Sequence, residues 1–463
     1  MLRNLADWIK VSLKKVCSFF ITLSAFALFA SAGLAANPFI TSIYTADPSA
    51  HVWSDGRLYV YPSRDIDPPK GCDLMDHYHV FSTEDMVNWR DEGEILNASQ
   101  VPWGRPEGGF MWAPDCAYRN GTYYYYFPHP SESAWNSTWK IGVATSSKPA
   151  SAFKPAGYIE GIGGFAMIDP AVFIDDDGQA YIYFGGGGHC KGGKLKTNMT
   201  ELDGPLSDMS GLLDFHEGTW VFKRNGIYYL TYADNYGHPQ TNRMQYAISS
   251  SPLGPWTSKG VYLEPTGCDT THGSMVEYKG QWYQFYHNNS LSGRGNLRSI
   301  CVDKVNFNED GTIQTVVQTK TGVPSAGRAP SPNPKMVKYE AESASVGDGA
   351  TVENDSVASG GKSVQDLQLP GSYLQFSNVD GGEKGSRATI DICYAATDKG
   401  KLGLNVNAAD YSFVNTFSTG GLNNYEGHSY FTVPLAPGKA NVIKFFGGNG
   451  RVCVDYVTIN PLP

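Results

Sequence analysis

Asp47, Asp169 and Glu217 are the acids of this chain best placed to work together, because each stands nine residues before a glycine that opens a short aromatic run. The runs are Gly56-Arg-Leu-Tyr-Val-Tyr, Gly121-Thr-Tyr-Tyr-Tyr-Tyr, Gly178-Gln-Ala-Tyr-Ile-Tyr, Gly226-Ile-Tyr-Tyr-Leu-Thr and Gly280-Gln-Trp-Tyr-Gln-Phe. The same step back from Gly121 and Gly280 gives Trp112 and Thr271. Carboxyl groups sharing a cleft raise one another's pKa, and hydrolysis uses the asymmetry that results. One protonated acid pushes the leaving group while an ionised one pulls on water. Asp47 and Asp169 each precede proline, and a lone Asp-Pro is most often only a turn. Strand capping or a structural cation are the other uses of such acids. Three acids at one offset in three repeats favour chemistry.

The repeats also say what must position these groups. Each unit reads as strand, tight turn, strand, the glycine supplying the positive φ of a two-residue hairpin. A unit that returns every 48 to 65 residues marks a propeller blade, since one small sheet cannot bury both its faces alone. With the strand before each glycine innermost, the counted positions converge on one axis. A second repeated signal, Phe81 to Trp89, Ala144-Thr-Ser-Ser and Ala247 to Trp256, reads as outer strands closing their blades, Trp89 and Trp256 packing between neighbours. The expected fold is all-β: a five-bladed β-propeller over 37–322, a proline-rich linker over 323–336, and a β-sandwich (jelly-roll) domain over 337–463. The propeller is expected to carry its own core and chemistry without the sandwich.

Composition agrees. Aromatic residues make up 13% of the chain and charged residues only 17%, which suits stacked sheets and a sugar-binding surface. Basic residues up to Lys15, an apolar stretch from Val16 to Ala32 and small residues to Ala36 read as a signal peptide over 1–36, so the protein is expected to be secreted or periplasmic. The net charge of −9 disfavours nucleic acid and, after signal removal, an anionic membrane as partner. Beyond the leader the cysteines are odd in number and show no CxxC pairing, which argues against zinc.

Taken together, Tyr-Thr-Ala-Asp47-Pro, Trp112-Ala-Pro-Asp, Ile-Asp169-Pro-Ala-Val-Phe-Ile-Asp, Glu217-Gly-Thr-Trp and Thr-His272-Gly-Ser resemble the family 43 glycoside hydrolases, five-bladed propellers, over residues 37 to about 320. The resemblance implies inverting hydrolysis of α-L-arabinofuranosides or β-D-xylosides of plant cell-wall polysaccharide. It makes Asp47 the general base, Glu217 the general acid and Asp169 the residue that raises the pKa of Glu217. Inversion needs carboxyls roughly 6.5–9.5 Å apart, room for a water. Trp112 would wall the sugar pocket and Arg298 would hydrogen-bond sugar hydroxyls. His272 would lie at the bottom of the funnel beside a hydrated calcium. The Gly185–Gly188 run reads as a blade loop, since no Gly-Lys-Ser/Thr closes it. An exo-acting arabinofuranosidase is the preferred reading, a β-xylosidase or dual-activity enzyme the second, and a non-catalytic sugar-binding propeller a remote third, disfavoured by the complete acid set.

The second domain resembles a family 6 carbohydrate-binding module, through Tyr339-Glu340-Ala-Glu342, Gly371-Ser-Tyr-Leu-Gln-Phe and Val-Asp455-Tyr-Val. That resemblance implies a structural calcium on Glu340, Glu342 and Asp455. Its sugar-binding side departs from the pattern: Cys453 stands where an asparagine is expected, and the loop Lys362-Ser-Val-Gln-Asp-Leu lacks a stacking aromatic. Tyr425 is the best remaining platform, and a structural or docking role for the domain stands beside sugar binding. No organic cofactor is expected, and a monomer is.

Overall fold

The structure is a computed structural model that describes residues 36–67, 72–236, 242–326, 337–382, 385–416 and 418–461. The leader expected over 1–36 lies outside these residues except for its last one. Five antiparallel sheets follow one another along the chain. The first holds β1 (Ala46–Val52), β2 (Leu58–Ser63), β3 (His77–Thr83) and β4 (Trp89–Asn97). The second holds β5 (Asp115–Arg119), β6 (Thr122–Pro130), β7 (Trp139–Ser146) and β8 (Lys154–Gly164). The third holds β9 (Ala171–Ile174), β10 (Ala180–Phe184), β11 (Lys191–Leu195) and β12 (Ser207–Asp208). β13 (Phe215–Arg224), β14 (Ile227–Asp234), β15 (Met244–Ser249) and β16 (Thr257–Leu263) make the fourth. β17 (Ser274–Tyr278), β18 (Gln281–Asn288) and β19 (Ser299–Val305) make the fifth.

The five marker glycines sit in the turns between first and second strands, with φ between 76° and 84°. β1, β5, β9, β13 and β17 are each in contact with the next and β17 returns to β1, so the first strands ring a central axis. This is a five-bladed propeller. The segments expected as outer strands are instead third strands: β3, β7 and β15 are followed by β4, β8 and β16 at the rim. Their tryptophans do bridge blades. Trp89 stacks on Phe39 at 4.2 Å and meets Phe285 edge-on at 6.2 Å, joining the first blade to the fifth.

The fifth blade has three named strands, and the 37–45 segment runs along the outer edge of β19 in place of a fourth. Phe39 N–H bonds Ile300 O at 3.1 Å and Thr45 N–H bonds Arg298 O at 3.0 Å. Asn37 does with its amide side chain what a strand does with its backbone: Oδ1 accepts from Val302 N–H at 2.9 Å and Nδ2 donates to Val302 O at 3.0 Å. The ring is therefore closed non-covalently by a segment from the start of the domain. At the other boundary, Val323 and Ala326 are buried in the core shared by the first and fifth blades, and Ala326 N–H bonds Asp85 O at 2.8 Å. Val323 just before Pro324 and Ala326 just after it thus pack into the propeller's core at the start of the segment expected as a linker. Residues 327–336 of the expected linker lie outside the described residues.

The rest of the chain forms two sheets. One contains β20 (Val337–Glu340), β22 (Thr351–Asn354), β23 (Lys362–Gln365), β25 (Ser386–Ala396), β28 (Gly427–Leu435) and β30 (Val452–Pro461). The other contains β21 (Ser345–Gly347), β24 (Tyr373–Val379), β26 (Gly400–Val406), β27 (Ala409–Thr416) and β29 (Asn441–Asn449). Alternate residues such as Leu402 and Leu404, Ile443 and Phe445, and Ile390 and Ile392 meet in one buried core, the arrangement of a β-sandwich. The sandwich rests on the propeller: Asn415 donates to the carbonyls of Thr41 and Ser42 at 3.3 and 2.8 Å, and the Lys399 ammonium bonds Asp67 at 3.0 Å. Cys116, Cys190, Cys268, Cys301, Cys393 and Cys453 are buried and not joined in disulfides.

If Asn37 is the seal, Asn37→Ala should lower the stability of the propeller by about 1–3 kcal/mol, the cost of leaving two strand groups of β19 without partners. Denaturant unfolding followed by tryptophan fluorescence measures this; an unchanged midpoint would assign closure to the aromatic stack alone.

Candidate active site

Backbone geometry sets the three acids before any side-chain contact does. Asp47 and Asp169 occupy the same place in their blades, beside proline, with φ of 49° and 54°. This left-handed conformation is unfavourable for a residue with a side chain, at about 1–3 kcal/mol, and its recurrence at matching positions marks a site held by its surroundings. Glu217 reaches the axis differently. It lies between two register shifts in the pairing of β13 with β14, followed by Gly218 at φ 76°, an irregularity that re-aims a strand side chain.

Asp47 is buried. Its Oδ2 accepts from Ser63 Oγ at 2.5 Å and its Oδ1 from Arg298 Nη1 at 3.0 Å. Its backbone N–H donates to His287 Nδ1 at 3.0 Å, while His287 Nε2 lies 2.8 Å from Thr270 O. The two bonds fix one neutral tautomer, with the proton on Nε2. Burial and the Arg298 charge hold His287 down at about 3. For Asp47 burial pushes upward, but Arg298, the two imidazoles and Ser63 outweigh it and leave the carboxyl below its ordinary range. The guanidinium is held in turn by Asp65, through Nε to Oδ2 and Nη2 to Oδ1, both at 2.9 Å, a fork-on-fork pair.

Asp169 meets the opposite fate. Its Oδ2 accepts from Gly218 N–H at 2.9 Å, and its backbone carbonyl accepts from Thr219 Oγ1 at 2.6 Å. Burial first, then the charges of Glu217 and Asp47, push its pKa well up against the opposition of Gly218 N–H and Arg298. His272 Nδ1 lies 4.0 Å from both Asp47 Oδ1 and Asp169 Oδ2, and burial keeps its pKa low. Glu217 is the most open of the acids, with 17% of its side chain exposed against 7% for each aspartate. Trp112 stands in an aromatic cluster, 4.6 Å from Trp139 and 5.8 Å from Phe110 by ring centroid.

The structure therefore gathers Asp47, Asp169, Glu217, His272 and Arg298. Arg298, expected to bond sugar hydroxyls, is 6% exposed and directs donors to Asp47, Asp65 and Thr270, so it also charges the surroundings of the Asp47 carboxylate and fixes its position. Ser63, Asp65 and His287 went unnoticed in the sequence. The only available hint was a Ser-Arg-Asp at the end of β2.

In the sandwich, Tyr425 is half-buried with its hydroxyl bonded to Asp355 at 2.6 Å, and Cys453 is buried. Glu340 and Asp455 both bond Ser359 Oγ, at 2.8 and 3.0 Å, and Glu342 lies against Gly360 with its buried Oε2 unpartnered. The Lys338 ammonium bonds Glu340 at 2.8 Å and Ser359 at 2.6 Å. Among the described residues no three acid, histidine or cysteine side chains converge as a ready metal site, either here or beside His272.

Three acids at the axis of a propeller, with the pKa of Asp47 pushed down and that of Asp169 pushed up by their settings, suit general acid–base chemistry on a glycoside. The sequence profile of glycosyl hydrolases family 43 matches residues 35–313, and the chain belongs to that family, whose members are inverting glycosidases. It is 36% identical to xylosidase/arabinosidase 43A of Humicola insolens, over 60% of this chain and 98% of that one. To the arabinoxylan arabinofuranohydrolase of Bacillus subtilis it is 31% identical over 89% of this chain and 90% of that one. Among solved structures, a β-xylosidase/α-arabinofuranosidase of this family from a compost microbial metagenome, in complex with xylotriose in a calcium-free form, superposes with a TM-score of 0.55. Identity there is 36%, and the match covers 61% of this chain and 97% of that one.

Arg298→Met should destabilise the protein by about 3–5 kcal/mol at neutral pH, because it strands two buried carboxylates. Asp47's lowered pKa makes its ionised form a source of stability that fades as pH falls through that pKa. The gap between variant and parent should accordingly narrow toward pH 4, where the stranded acids take up protons. Thermal melting across pH 4–8 measures this, and a gap independent of pH would remove the ion pair as its cause.

Proposed function

We propose that the protein is an exo-acting enzyme that releases α-L-arabinofuranose from arabinoxylan-type polysaccharide or oligosaccharide outside the cytoplasm. Likeness to the B. subtilis arabinoxylan arabinofuranohydrolase along both domains is the observation that carries the substrate. A β-D-xylosidase or dual activity is the second reading, favoured by the higher identity of the propeller alone to the Humicola enzyme. Hydrolysis of p-nitrophenyl α-L-arabinofuranoside and β-D-xyloside, compared by kcat/KM, decides between them; a preference of tenfold or more for the xyloside would reject the first.

In this reading Asp47 takes a proton from the attacking water, and its depressed pKa keeps it ionised to do so. Glu217, the most open acid, gives its proton to the glycosidic oxygen. Asp169 sits beside Glu217 as the buried carboxyl that positions it. Trp112 and its aromatic neighbours offer the sugar ring an apolar wall. Glu217→Gln should lower turnover by roughly two to four orders of magnitude on p-nitrophenyl glycosides and much less on dinitrophenyl glycosides, whose leaving group needs no proton. Asp47→Asn should lose as much on both. Equal losses in the Glu217 variant would take it out of the acid role, and proton NMR showing retained anomeric configuration would take Asp47 out of the base role.

Calcium is a further part of the proposal. In the sandwich it would be held by Glu340, Glu342 and Asp455, where the unpartnered Glu342 oxygen suits a hard cation, and it would tie the first strand to the last. Beside His272 a hydrated ion would be held by one imidazole and water, and no step of the reaction passes through it. Chelation should lower the sandwich's melting temperature in the parent and leave Glu342→Gln unaffected. An unchanged parent on chelation would dismiss the sandwich ion.

A further inference from the structure

Besides packing β28 against β4, the sandwich reaches the two stretches of chain that hold Asp47. Lys399, just before β26, bonds Asp67 Oδ2 at 3.0 Å and lies 4.7 Å from the centre of the Tyr44 ring. Tyr44 is buried three residues before Asp47, and its neighbour Thr45 is tied by its N–H to the carbonyl of Arg298 at 3.0 Å. Asp67 lies in the loop after β2, two residues beyond Asp65; Ser63 at the end of β2 and Asp65 in that loop bond Asp47 and its arginine. Asp67 Oδ1 also accepts from Arg294 Nη1 at 3.1 Å, and Arg294 belongs to the loop that leads into Arg298. One side chain of the second domain thus spans the strand that carries Asp47 and the loop that aims it. Asn415 adds a second grip on the same stretch, at the carbonyls of Thr41 and Ser42.

We propose that Lys399 is a positioning residue for the hydrolytic site. By pinning Asp67 against Tyr44, it keeps Ser63, Asp65 and Arg298 in register on Asp47. The sandwich is then part of the enzyme's active-site support, whether or not it binds sugar. The groups facing Asp47 directly are Ser63, Arg298, His272 and His287, with Asp65 and Asp169 beyond them, and none of these belongs to the sandwich. Lys399 can act on the reaction only by holding the elements that bear them. Its side chain is 34% exposed and its partner 17%, so the bond itself contributes little to overall stability. Small displacements of a base cost rate far more readily than they cost folding.

The proposal rests on Asp47 being the base, and its test keeps the two apart. In the full chain, Lys399→Ala should lower kcat roughly three- to tenfold with KM little changed. The loss should be equal on dinitrophenyl and p-nitrophenyl glycosides, as for Asp47→Asn and unlike Glu217→Gln. Lys399→Arg should restore most of the rate. Asp67→Asn should reproduce the loss, and the double variant should be no worse than Asp67→Asn alone, since both changes break one link. Lys439→Ala, an exposed lysine elsewhere on the sandwich, should leave kcat unchanged. A kcat for Lys399→Ala within twofold of the parent overturns the proposal, whether or not the melting temperature falls. So do losses that add fully in the double variant, or a loss confined to poor leaving groups. If Asp47→Asn itself keeps its turnover, it is the assignment of the base that fails; if Asp47→Asn is inactive and Lys399→Ala is not slowed, only the clamp fails.

Discussion

The site hangs on one guanidinium. Arg298 lies between Asp47 and Asp65, two carboxylates buried in a medium where an unpaired charge is very costly, and among the described residues it is the cation that bonds both. Its backbone joins in, giving a carbonyl to Thr45 and an N–H to Asp65. Three distant stretches of chain are therefore fixed relative to one another by a single residue. Without it the irregular start of β1 and the left-handed backbone of Asp47 would have nothing to hold them against their local preference. The aromatic cores between blades supply most of the burial, but they are indifferent to where one carboxylate points.

Asp47 and Asp169 show how environment separates two residues of the same type in the same repeat position. They share a proline neighbour, a φ near 50° and nearly complete burial. Asp47 faces a guanidinium, two imidazoles and a hydroxyl, and is kept ionised. Asp169 faces another carboxylate and accepts from one backbone N–H, so burial prevails and its pKa is pushed up. Repetition delivers equivalent acids to the axis; the side chains beyond the repeat make them different.

That division also describes how far the sequence could be read. The hairpin glycines and the acids counted from them were legible because both depend on local chemistry, a turn that needs positive φ and a strand of set length. The family motifs carried the roles of Asp47, Asp169 and Glu217 further as expectations. Ser63, Asp65 and His287 were not legible, because they meet Asp47 or Arg298 across 16 to 240 residues with no spacing rule to announce it. The same limit hid the bonds of Arg298 to Asp47 and Asp65. The rim strands β4, β8 and β16 were missed since they carry no glycine marker, and the prolines at 324 and beyond masked Val323 and Ala326 as core residues. The seal along β19 was invisible for the plainest reason: Asn37 to Thr45 is a bent segment with no alternation, held by the strand edge it meets.

That seal ties the order of synthesis to the onset of function. Asp47 lies only two residues beyond a segment whose partners, Arg298, Ile300 and Val302, are among the last of the propeller to be made. The first acid to be translated therefore cannot reach its ionic setting until the final blade exists to receive it. A partly made chain holds all the earlier blades and no assembled site, so hydrolytic competence is a property of the closed ring and appears only once the whole circle has been joined.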